Sequence, residues 1–322
     1  MNHRTLNWGI LGPGRIAHTF ASDIQLVDGC EITAVASRNS VPRAFAEQYQ
    51  IARAYRGYQS LLSDTDIDAV YIATPHSCHL DNCIAALKAG KHVLCEKPLV
   101  LNTAQANQLE QVIERHPNLF FMEAMWSYFL PAIETAMRWI DEGRIGAVRH
   151  LRADFGYPIP YNPEGREYNK TLGGGCLLDM GVYPVALAWR IFQSMPNNIS
   201  VQAQFAENGV EDDVIVMCDY GQRFATLATS FRYKLPNTAF IIGEQGYIKI
   251  PDFWRASECY RYQLDECVEQ YSDDRQGSGF EFQIAHVRDC INEQMRESEI
   301  MPFKYSFGFQ QLMEEIDRQA RR

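Results

Sequence analysis

The sequence lacks paired cysteines, a long uninterrupted apolar run and any excess of positive charge, and each absence excludes a class of protein. Its nine cysteines stand singly, with no CxxC pair, so we expect neither a disulfide framework nor a bound metal. No uninterrupted apolar run approaches the roughly 20 residues that a membrane span needs. Lys and Arg number 30 against 40 Asp and Glu, and the net charge of −10 argues against nucleic-acid and membrane partners.

The length and the start of the chain bear on domain organisation and compartment. With 322 residues, of which 46% are hydrophobic, the chain is globular and too long for one ordinary core, so we expect two domains. An apolar strand begins as early as Leu6, which leaves no room for a signal peptide before it. Together with the unpaired cysteines, this start indicates a reducing, cytoplasmic compartment.

The first part of the chain alternates short apolar segments with helical ones. Strands are predicted at residues 6–11, 30–37, 54–55, 68–73, 91–96 and 119–122. Because these strands are apolar throughout and separated by helices, they favour a parallel sheet covered on both faces. Residues 1–122 are therefore predicted to form an α/β, doubly wound Rossmann domain that binds a nucleotide.

The pattern changes after residue 122, where strands of alternating character follow one another with short links. They are predicted at residues 149–155, 200–205, 213–219, 223–231, 238–242 and 246–250. Such sequential strands favour antiparallel pairing. With helices predicted at 176–192, 280–293 and 306–321, residues 123–322 are expected to form an α+β domain with a large, mainly antiparallel open sheet.

A glycine-containing turn joins the first predicted strand to the first helix, in the pattern Gly12-x-Gly14-x-x-Ala17. Gly12 permits the tight turn, Gly14 lets a pyrophosphate approach the backbone, and Ala17 keeps the helix close to the sheet. The amides of the helix N-terminus, around Arg15 and Ile16, would then face the phosphates. An ordinary glycine-rich turn is the alternative, but the position between strand and helix favours dinucleotide binding.

The end of the second strand bears on which dinucleotide binds. An NAD site usually carries Asp or Glu there, to accept from the ribose 2′-hydroxyl, whereas this strand ends in Ser37-Arg38-Asn39. A hydroxyl and a guanidinium suit a 2′-phosphate, because Arg offers a charge-assisted and bidentate contact. We expect NADP(H) rather than NAD(H) as the cofactor, with a merely solvated Arg38 as the alternative.

The fifth strand ends on a charged pair, in the segment Val93-Leu94-Cys95-Glu96-Lys97-Pro98. A buried parallel strand with this ending delivers Glu96 and Lys97 to the carboxyl edge of its sheet, where open α/β sheets bind their ligands. Lys97 would then point at the cofactor. A surface ion pair that closes the strand is the alternative.

Four stretches that occur in order carry a family resemblance, namely Gly9–Ala17, Ala73–His79, Ala89–Pro98 and Gly173–Tyr183. Together they resemble the Gfo/Idh/MocA oxidoreductases, the family of glucose–fructose oxidoreductase and inositol dehydrogenase. The segments Glu123–Trp126 and Asp179–Pro184 are most similar to the dimeric dihydrodiol dehydrogenase branch of that family, which is also described as D-xylose dehydrogenase.

The resemblance implies roles for further residues. Thr74, Pro75 and His79 would line the cofactor, and Glu96 would contact its ribose. It also implies a homodimer formed through the open sheet face of the second domain, which has few helices for so many strands. Many members of the family carry His where this chain has Tyr183, and this difference changes the identity of the proton carrier.

Asp179 and Tyr183 are four residues apart on a predicted helix, so we expect them to share one face. A tyrosine that carries protons near neutral pH needs help, because its ordinary pKa is about 10. Lys97 is expected to supply that help, since a nearby ammonium favours the phenolate. The resemblance supports all three as catalytic residues, with Asp179 and Tyr183 also contacting the substrate. A core tyrosine and a surface carboxylate are the alternatives.

Two aromatic residues beside the predicted domain junction, Trp126 and Phe155, are candidates for the wall of an apolar substrate pocket. Ordinary core packing is the alternative for both. Arg166, in the loop before the triple glycine, is expected to be a solvated loop residue rather than a ligand of the substrate.

The sequence thus predicts an NADP-dependent oxidoreductase that transfers hydride between nicotinamide and a hydroxyl-bearing carbon of a cyclic sugar or trans-dihydrodiol. Two alternatives stay open: a sugar transhydrogenase with tightly bound NADP, and a non-catalytic NADP-binding redox sensor. A proton relay of Lys97, Asp179 and Tyr183 argues against the sensor, which would have no need of one.

Overall fold

The structure, a computed structural model, describes residues 4–322 and shows two compact units. The first unit comprises the chain up to Trp126 together with Gln276–Ser306. The second unit comprises Ser127–Arg275 and Phe307–Arg322. Each unit contains one large sheet, and the two sheets differ in type.

Nine α-helices occur among residues 4–322, and ordinary end signals account for several of their limits. Asn102 caps one helix by accepting from the backbone amide of Gln105 at 2.9 Å, and Pro131 occupies the first turn of another. The helices are α1 (Arg15–Asp23), α2 (Arg43–Gln48), α3 (Tyr58–Leu62), α4 (His79–Lys88), α5 (Thr103–Glu114), α6 (Pro131–Asp141), α7 (Val182–Phe192), α8 (Phe280–Asn292) and α9 (Phe303–Ala320).

The sheet of the first unit is parallel throughout, as its uniformly apolar strands predict. Its strands are β1 (Leu6–Leu11), β2 (Cys30–Ser37), β3 (Arg53–Arg56), β4 (Ala69–Ile72), β5 (His92–Glu96) and β6 (Phe121–Ala124). They lie in the order β3-β2-β1-β4-β5-β6, which confirms the doubly wound fold. The order reverses between β1 and β4, and such a reversal opens a crevice at the carboxyl ends of the strands.

The sheet of the second unit has eight strands in the order β14-β13-β12-β11-β7-β10-β9-β8. Its pairs are antiparallel except for β7 with β10, which confirms the expected mainly antiparallel sheet. The strands are β7 (Val148–Gly156), β8 (Asn198–Phe205), β9 (Glu211–Asp219), β10 (Phe224–Ser230), β11 (Ala239–Gly243), β12 (Tyr247–Ile250), β13 (Glu258–Gln263) and β14 (Glu266–Ser272).

The edge hairpin of β13 and β14 is absent from the sequence prediction. Five of the seven residues of β14 are exposed and none is buried, so the strand lacks the alternation of buried and exposed positions that a half-buried strand shows. The hairpin turns at Leu264, whose side chain is 85% exposed and whose φ is +51°. Pairing with β12 along the edge of the sheet, rather than local propensity, therefore defines these two strands.

One helical stretch, residues 170–192, is long and apolar enough to cross a membrane by length and composition alone. It contains Lys170, Asp179 and Arg190, so it is not an uninterrupted apolar run of the kind that the sequence analysis excludes. In its most apolar window 72% of the stretch is buried inside the structure, and the core helix of a soluble protein passes the same test. The stretch includes α7, which packs against β7 and β10 of the second unit.

A buried carboxylate explains why the chain returns to the first unit after the second sheet. The backbone amides of Ser278 and Phe280 both donate to Oδ2 of Asp23 at 2.9 Å, so a side chain of α1 caps the start of α8. The ranges predicted from the sequence, 1–122 and 123–322, do not include this return. Asp23 lies about 255 residues earlier in the chain, and no local pattern links it to α8.

A second buried carboxylate, Glu123 on β6, lies beside the segment that follows β5. Its Oε1 accepts from the backbone amide of Leu99 at 2.8 Å, and the residue is 1% exposed. Burial raises the pKa of the Glu123 carboxyl to about 7. Hydrogen bonds with the Ser306 hydroxyl and the Leu99 amide oppose this rise, and so does the charge of Lys97. Glu123 therefore changes its charge near neutral pH inside the first unit.

This raised pKa predicts a pH-dependent effect of Glu123→Gln, which removes the ionisation but keeps an oxygen that accepts from Leu99. Between about pH 4.5 and 7 the folded protein binds more protons at Glu123 than the unfolded chain does, so wild-type stability falls as pH rises through that window. From pH 5 to pH 8 we expect the variant to gain about 2–3 kcal/mol relative to wild type in urea unfolding.

A matched control for this measurement is Glu110→Gln, at an exposed position of α5. We expect its stability to follow the wild-type pH dependence, because an exposed carboxylate is solvated in both states. Parallel pH profiles for wild type and the Glu123 variant would show that Glu123 does not titrate in this window.

Candidate functional site

The turn between β1 and α1 has the geometry of a dinucleotide cradle. Gly12 has a φ of +94°, and a Cβ on it would lie 2.9 Å from the carbonyl oxygen of Ala73, so only glycine fits. Gly14 is the N-cap of α1, so the backbone at Arg15 and Ile16 forms the first turn of this helix, the kind of position where anions bind. These residues fit the pyrophosphate of a nicotinamide dinucleotide.

The end of β2 presents the two residues that the sequence singles out for the ribose. Ser37 is half-buried at the last position of the strand, and Arg38 is exposed directly after it. Tyr58, at the start of α3, lies near enough for the charge of Arg38 to lower the pKa of its phenol, although burial raises it overall. An exposed guanidinium near a tyrosine ring offers both charge and a flat surface to a bound nucleotide.

His79 lies behind the loop that follows β4 rather than on its surface. Its Nδ1 lies 2.8 Å from the carbonyl oxygen of Pro98, its Nε2 lies 2.8 Å from that of Thr74, and the residue is fully buried. The hydroxyl of Thr74 accepts from Asn82 at 3.0 Å. His79 therefore ties together the two loops after β4 and β5, while Pro75, half-buried between them, is the more accessible member of this group.

Glu96 is the last residue of β5 and Lys97 follows it at the carboxyl edge of the parallel sheet, as the sequence predicts. Glu96 is 6% exposed and accepts from the hydroxyl of Tyr71 on the neighbouring strand β4. The ring of Tyr71 in turn stacks on Phe20 of α1, with centroids 3.9 Å apart. Lys97 is half-buried in the segment after the strand. It lies close enough to Glu123 for its charge to oppose the rise in the pKa of the Glu123 carboxyl.

In the second unit, Asp179 and Tyr183 lie on successive helical segments of different type. Asp179 is in a π-helical turn, Leu177–Gly181, and Tyr183 is in the first turn of α7. The predicted single α-helix is therefore wrong at Asp179, because the wider π turn changes the angular spacing of the two side chains. Such turns recur at functional sites. The Asp179 side chain is 14% exposed and the whole of Tyr183 is 6% exposed.

Arg166 is an ion-pair partner of Asp179, and the expectation of a solvated loop residue is wrong. Its Nη2 lies 3.0 Å from Oδ1 of Asp179 and 3.6 Å from Oε1 of Glu167. Burial lowers the pKa of the Arg166 guanidinium, but the charges of Asp179 and Glu167 outweigh burial and raise it. The ion pair with Arg166 thus fixes the orientation of the Asp179 side chain.

Aromatic rings surround Tyr183 within the second unit. Phe155, at the end of β7, lies 5.4 Å from the Tyr183 ring centroid, edge to face, and stacks on Trp254 at 4.8 Å. Trp254 also lies edge to face with Tyr183 at 6.1 Å. Trp126, the other aromatic candidate, belongs to the first unit and packs on Phe280 at 4.8 Å. Phe155 therefore belongs to the Tyr183 cluster of the second unit.

Sequence reasoning misses Arg166 as a partner, and it misses Trp254, Phe280 and Tyr71 altogether. Arg166 is thirteen residues from Asp179, a spacing that no helix or strand period relates. Trp254 follows β12 in a short turn whose sequence resembles any surface loop. The only local signal for Trp254 is an aromatic residue between Phe253 and Arg255, and this pattern is too common to single out Trp254. Among residues 4–322, no group of three His, Cys, Asp or Glu side chains is arranged to hold a metal ion.

Comparison with known proteins agrees with this geometry. Residues 6–124 match the family described as "Oxidoreductase family, NAD-binding Rossmann fold", and residues 133–249 match "GFO/IDH/MocA C-terminal domain". The trans-1,2-dihydrobenzene-1,2-diol dehydrogenase of Xenopus laevis is 34% identical over 321 residues, which cover 96% of this chain and 96% of the relative.

Two solved structures show the same fold over nearly their whole length. A 3-ketoreductase from Actinomadura kijaniata, in complex with NADP and TDP-benzene, has a TM-score of 0.86 at 24% identity, covering 98% of both chains. A levoglucosan dehydrogenase in complex with NADH and levoglucosan has a TM-score of 0.86 at 20% identity, covering 98% and 97%. With family matches in both halves and a relative aligned from end to end, the chain belongs to the Gfo/Idh/MocA family of oxidoreductases.

Proposed function

We propose that this oxidoreductase is an NADP(H)-dependent dehydrogenase that acts on a hydroxyl-bearing carbon of a trans-dihydrodiol or cyclic sugar. The observation that carries the proposal is that the phenol of Tyr183, the proposed proton carrier, packs against apolar rings. Tyr183 lies against Phe155 and Trp254, and Asp179, one helical turn away, is oriented by Arg166. Full-length relatives named trans-1,2-dihydrobenzene-1,2-diol dehydrogenase support the same substrate class.

The residues divide the work of the reaction as follows. Nicotinamide, when bound, supplies the hydride chemistry at its C4. The Tyr183 hydroxyl exchanges a proton with the substrate oxygen, and Asp179 accepts a hydrogen bond that orients the substrate. Lys97 supplies an ammonium at the carboxyl edge of the first unit's sheet, where the cofactor would lie. Flat rings of Phe155 and Trp254 suit an unsaturated diol or the apolar face of a sugar ring.

The variant Tyr183→Phe tests the proton step, because it keeps the ring packing and removes only the hydroxyl. We expect kcat to fall by about 10²–10⁴-fold while NADPH binding, followed by fluorescence titration, stays unchanged. The assay measures nicotinamide absorbance with a panel of trans-dihydrodiols, aldoses and inositols.

The control is Tyr220→Phe, at another buried tyrosine of the second unit, which stacks on Phe192 at 4.5 Å. It should keep wild-type turnover. Wild-type rates in the Tyr183 variant would remove the phenol from the mechanism, and a wild type that turns over no member of the panel would contradict the proposed function itself.

Cofactor preference is part of the same proposal and depends on Arg38. No carboxylate among residues 4–322 pairs with Arg38, so its exposed guanidinium can contact a 2′-phosphate. Ser37 adds a hydroxyl donor at the end of β2. An acidic residue that would repel the phosphate and accept from a ribose hydroxyl does not stand at this strand end.

We expect Arg38→Ala to weaken NADPH binding by about 10–100-fold and to leave NADH binding within about twofold, since one charge-assisted contact to phosphate is lost. Titrating both cofactors into the protein measures the two dissociation constants. Arg115→Ala, at an exposed arginine after α5, is the control and should change neither. Tighter NADH than NADPH binding by wild type would contradict the preference.

We also propose that two copies of the chain pair through the outer face of the second sheet. On this face Ile215 and Met217 are 48% and 53% exposed, and Phe224 is 42% exposed. Stacked rings of Tyr247 and Tyr262, 4.8 Å apart, extend the apolar surface across β12 and β13. A patch of this kind marks an interaction surface.

Equilibrium sedimentation should show a dimer at micromolar concentration. Met217→Lys should yield a monomer, because an isologous interface would bury the new charge on both copies. Leu264→Lys places the same charge at the 85% exposed tip of the β13–β14 hairpin and should leave the dimer intact. A monomeric wild type, or a dimeric Met217 variant, would contradict this interface.

A further inference from the structure

The backbone at the start of the Asp179 segment rests directly on a buried carboxylate. Gly175 has a φ of +135°, and a Cβ on it would lie 1.9 Å from Oε1 of Glu211, so Glu211 fills the space that any side chain would need. Glu211 is 4% exposed at the first position of β9. The backbone amide of Leu177 faces its carboxylate and favours the charged form.

Asp179 is tied to the same glycine. Its backbone amide donates to the carbonyl oxygen of Gly175 at 3.1 Å, and the amide of Gly175 donates to the carbonyl oxygen of Glu167 at 2.9 Å. Glu167 neighbours Arg166, the ion-pair partner of Asp179. A shift of Gly175 would therefore move both Asp179 and its partner.

The only described cation that pairs with Glu211 comes from α9 and the residues after it. Nη2 of Arg321 lies 3.0 Å from Oε2 of Glu211. The guanidinium is itself held in place by Asp317, at 2.8 Å, and by the ring of Phe205, whose centroid is 5.2 Å away. Its Nη1 also donates to the carbonyl oxygen of Gly209 at 3.3 Å.

We propose that Arg321 and Glu211 form a positioning pair that holds Gly175 and thereby sets the orientation of Asp179. The inference rests on the proposed function, in which Asp179 orients the substrate. Neither residue of the pair is a catalytic residue, since both act through the backbone between Gly175 and Asp179.

The charges around Glu211 give the pair a pH dependence with a definite sign. Burial raises the pKa of the Glu211 carboxyl to about 7, Asp317 raises it too, and Arg321 and the Leu177 amide lower it. Cys176 stays a thiol, because burial and the Glu211 charge raise its pKa well above the ordinary value. Above about pH 7 Glu211 is charged and paired, and as pH falls through 7 it is protonated and releases Arg321.

Arg321→Met tests the pair, since it removes the cation but keeps a long side chain over Phe205. We expect kcat to fall about tenfold with cofactor binding unchanged, because a misplaced orienting group costs turnover rather than nucleotide affinity. The acidic limb of the kcat profile should move up by about one pH unit, as the lost cation raises the pKa of Glu211 further. Arg321→Lys should restore kcat to within about threefold.

The matched control is Arg318→Met, in the last turn of α9 three residues before Arg321, where Arg318 pairs with Glu315 instead. It should keep the wild-type kcat and pH profile. Hydrogen exchange of the 173–181 peptide, followed by mass spectrometry, gives a readout independent of turnover: it should quicken in Arg321→Met and stay unchanged in Arg318→Met.

An unmoved pH limb, or faster exchange with an unchanged kcat, would overturn the positioning pair. If the wild type turns over no substrate in the panel, the proposed function fails. The exchange data alone then decide whether Arg321 holds the glycine segment.

Discussion

Burial of carboxylates where backbone elements begin or end is the constraint on which much of this structure depends. An unpartnered buried carboxylate costs several kcal/mol, so the amides and cations that face each one are held in a single arrangement. Asp23 accepts hydrogen bonds from backbone amides at the start of α8, and Glu123 accepts one from the Leu99 amide after β5. Glu211 lies against Gly175. Glu123 and Glu211 lie next to segments that carry candidate site residues, one in each unit.

The two units contribute different kinds of chemistry to a family oxidoreductase. The first supplies a positive-φ Gly12, a helix that starts after Gly14 and a sheet edge where Glu96 and Lys97 emerge. The second supplies side chains in a packed setting, with Tyr183 among aromatic rings and Asp179 held by Arg166. Backbone binding of a dinucleotide tolerates wide variation of sequence, whereas side-chain recognition of a substrate does not.

The parts of the fold and site that could be predicted share one property, which is that their signals are local. Apolar runs identify the parallel strands, the glycine spacing identifies the β1–α1 turn, and the end of β2 places Ser37 and Arg38 together. The failures share the opposite property. The β13–β14 hairpin forms by pairing at a sheet edge, and the π turn at Asp179 is a distortion that the residue spacing does not encode. The Arg166–Asp179 ion pair is equally hidden, because a loop arginine has no periodicity to indicate its partner.

The sequence by itself determined the fold class, the family and the residue types available for chemistry, because hydrophobic periodicity and short motifs act over a few residues. Only the tertiary structure decided which of those residues meet. In the folded chain Arg166 pairs with Asp179, Trp254 contacts Tyr183, and Arg321 pairs with a glutamate 110 residues away. Residues 276–306 belong to the first unit. The physical reason is that ion pairs and ring contacts depend on distance in space, and chain separation gives no measure of that distance until the sheets have formed.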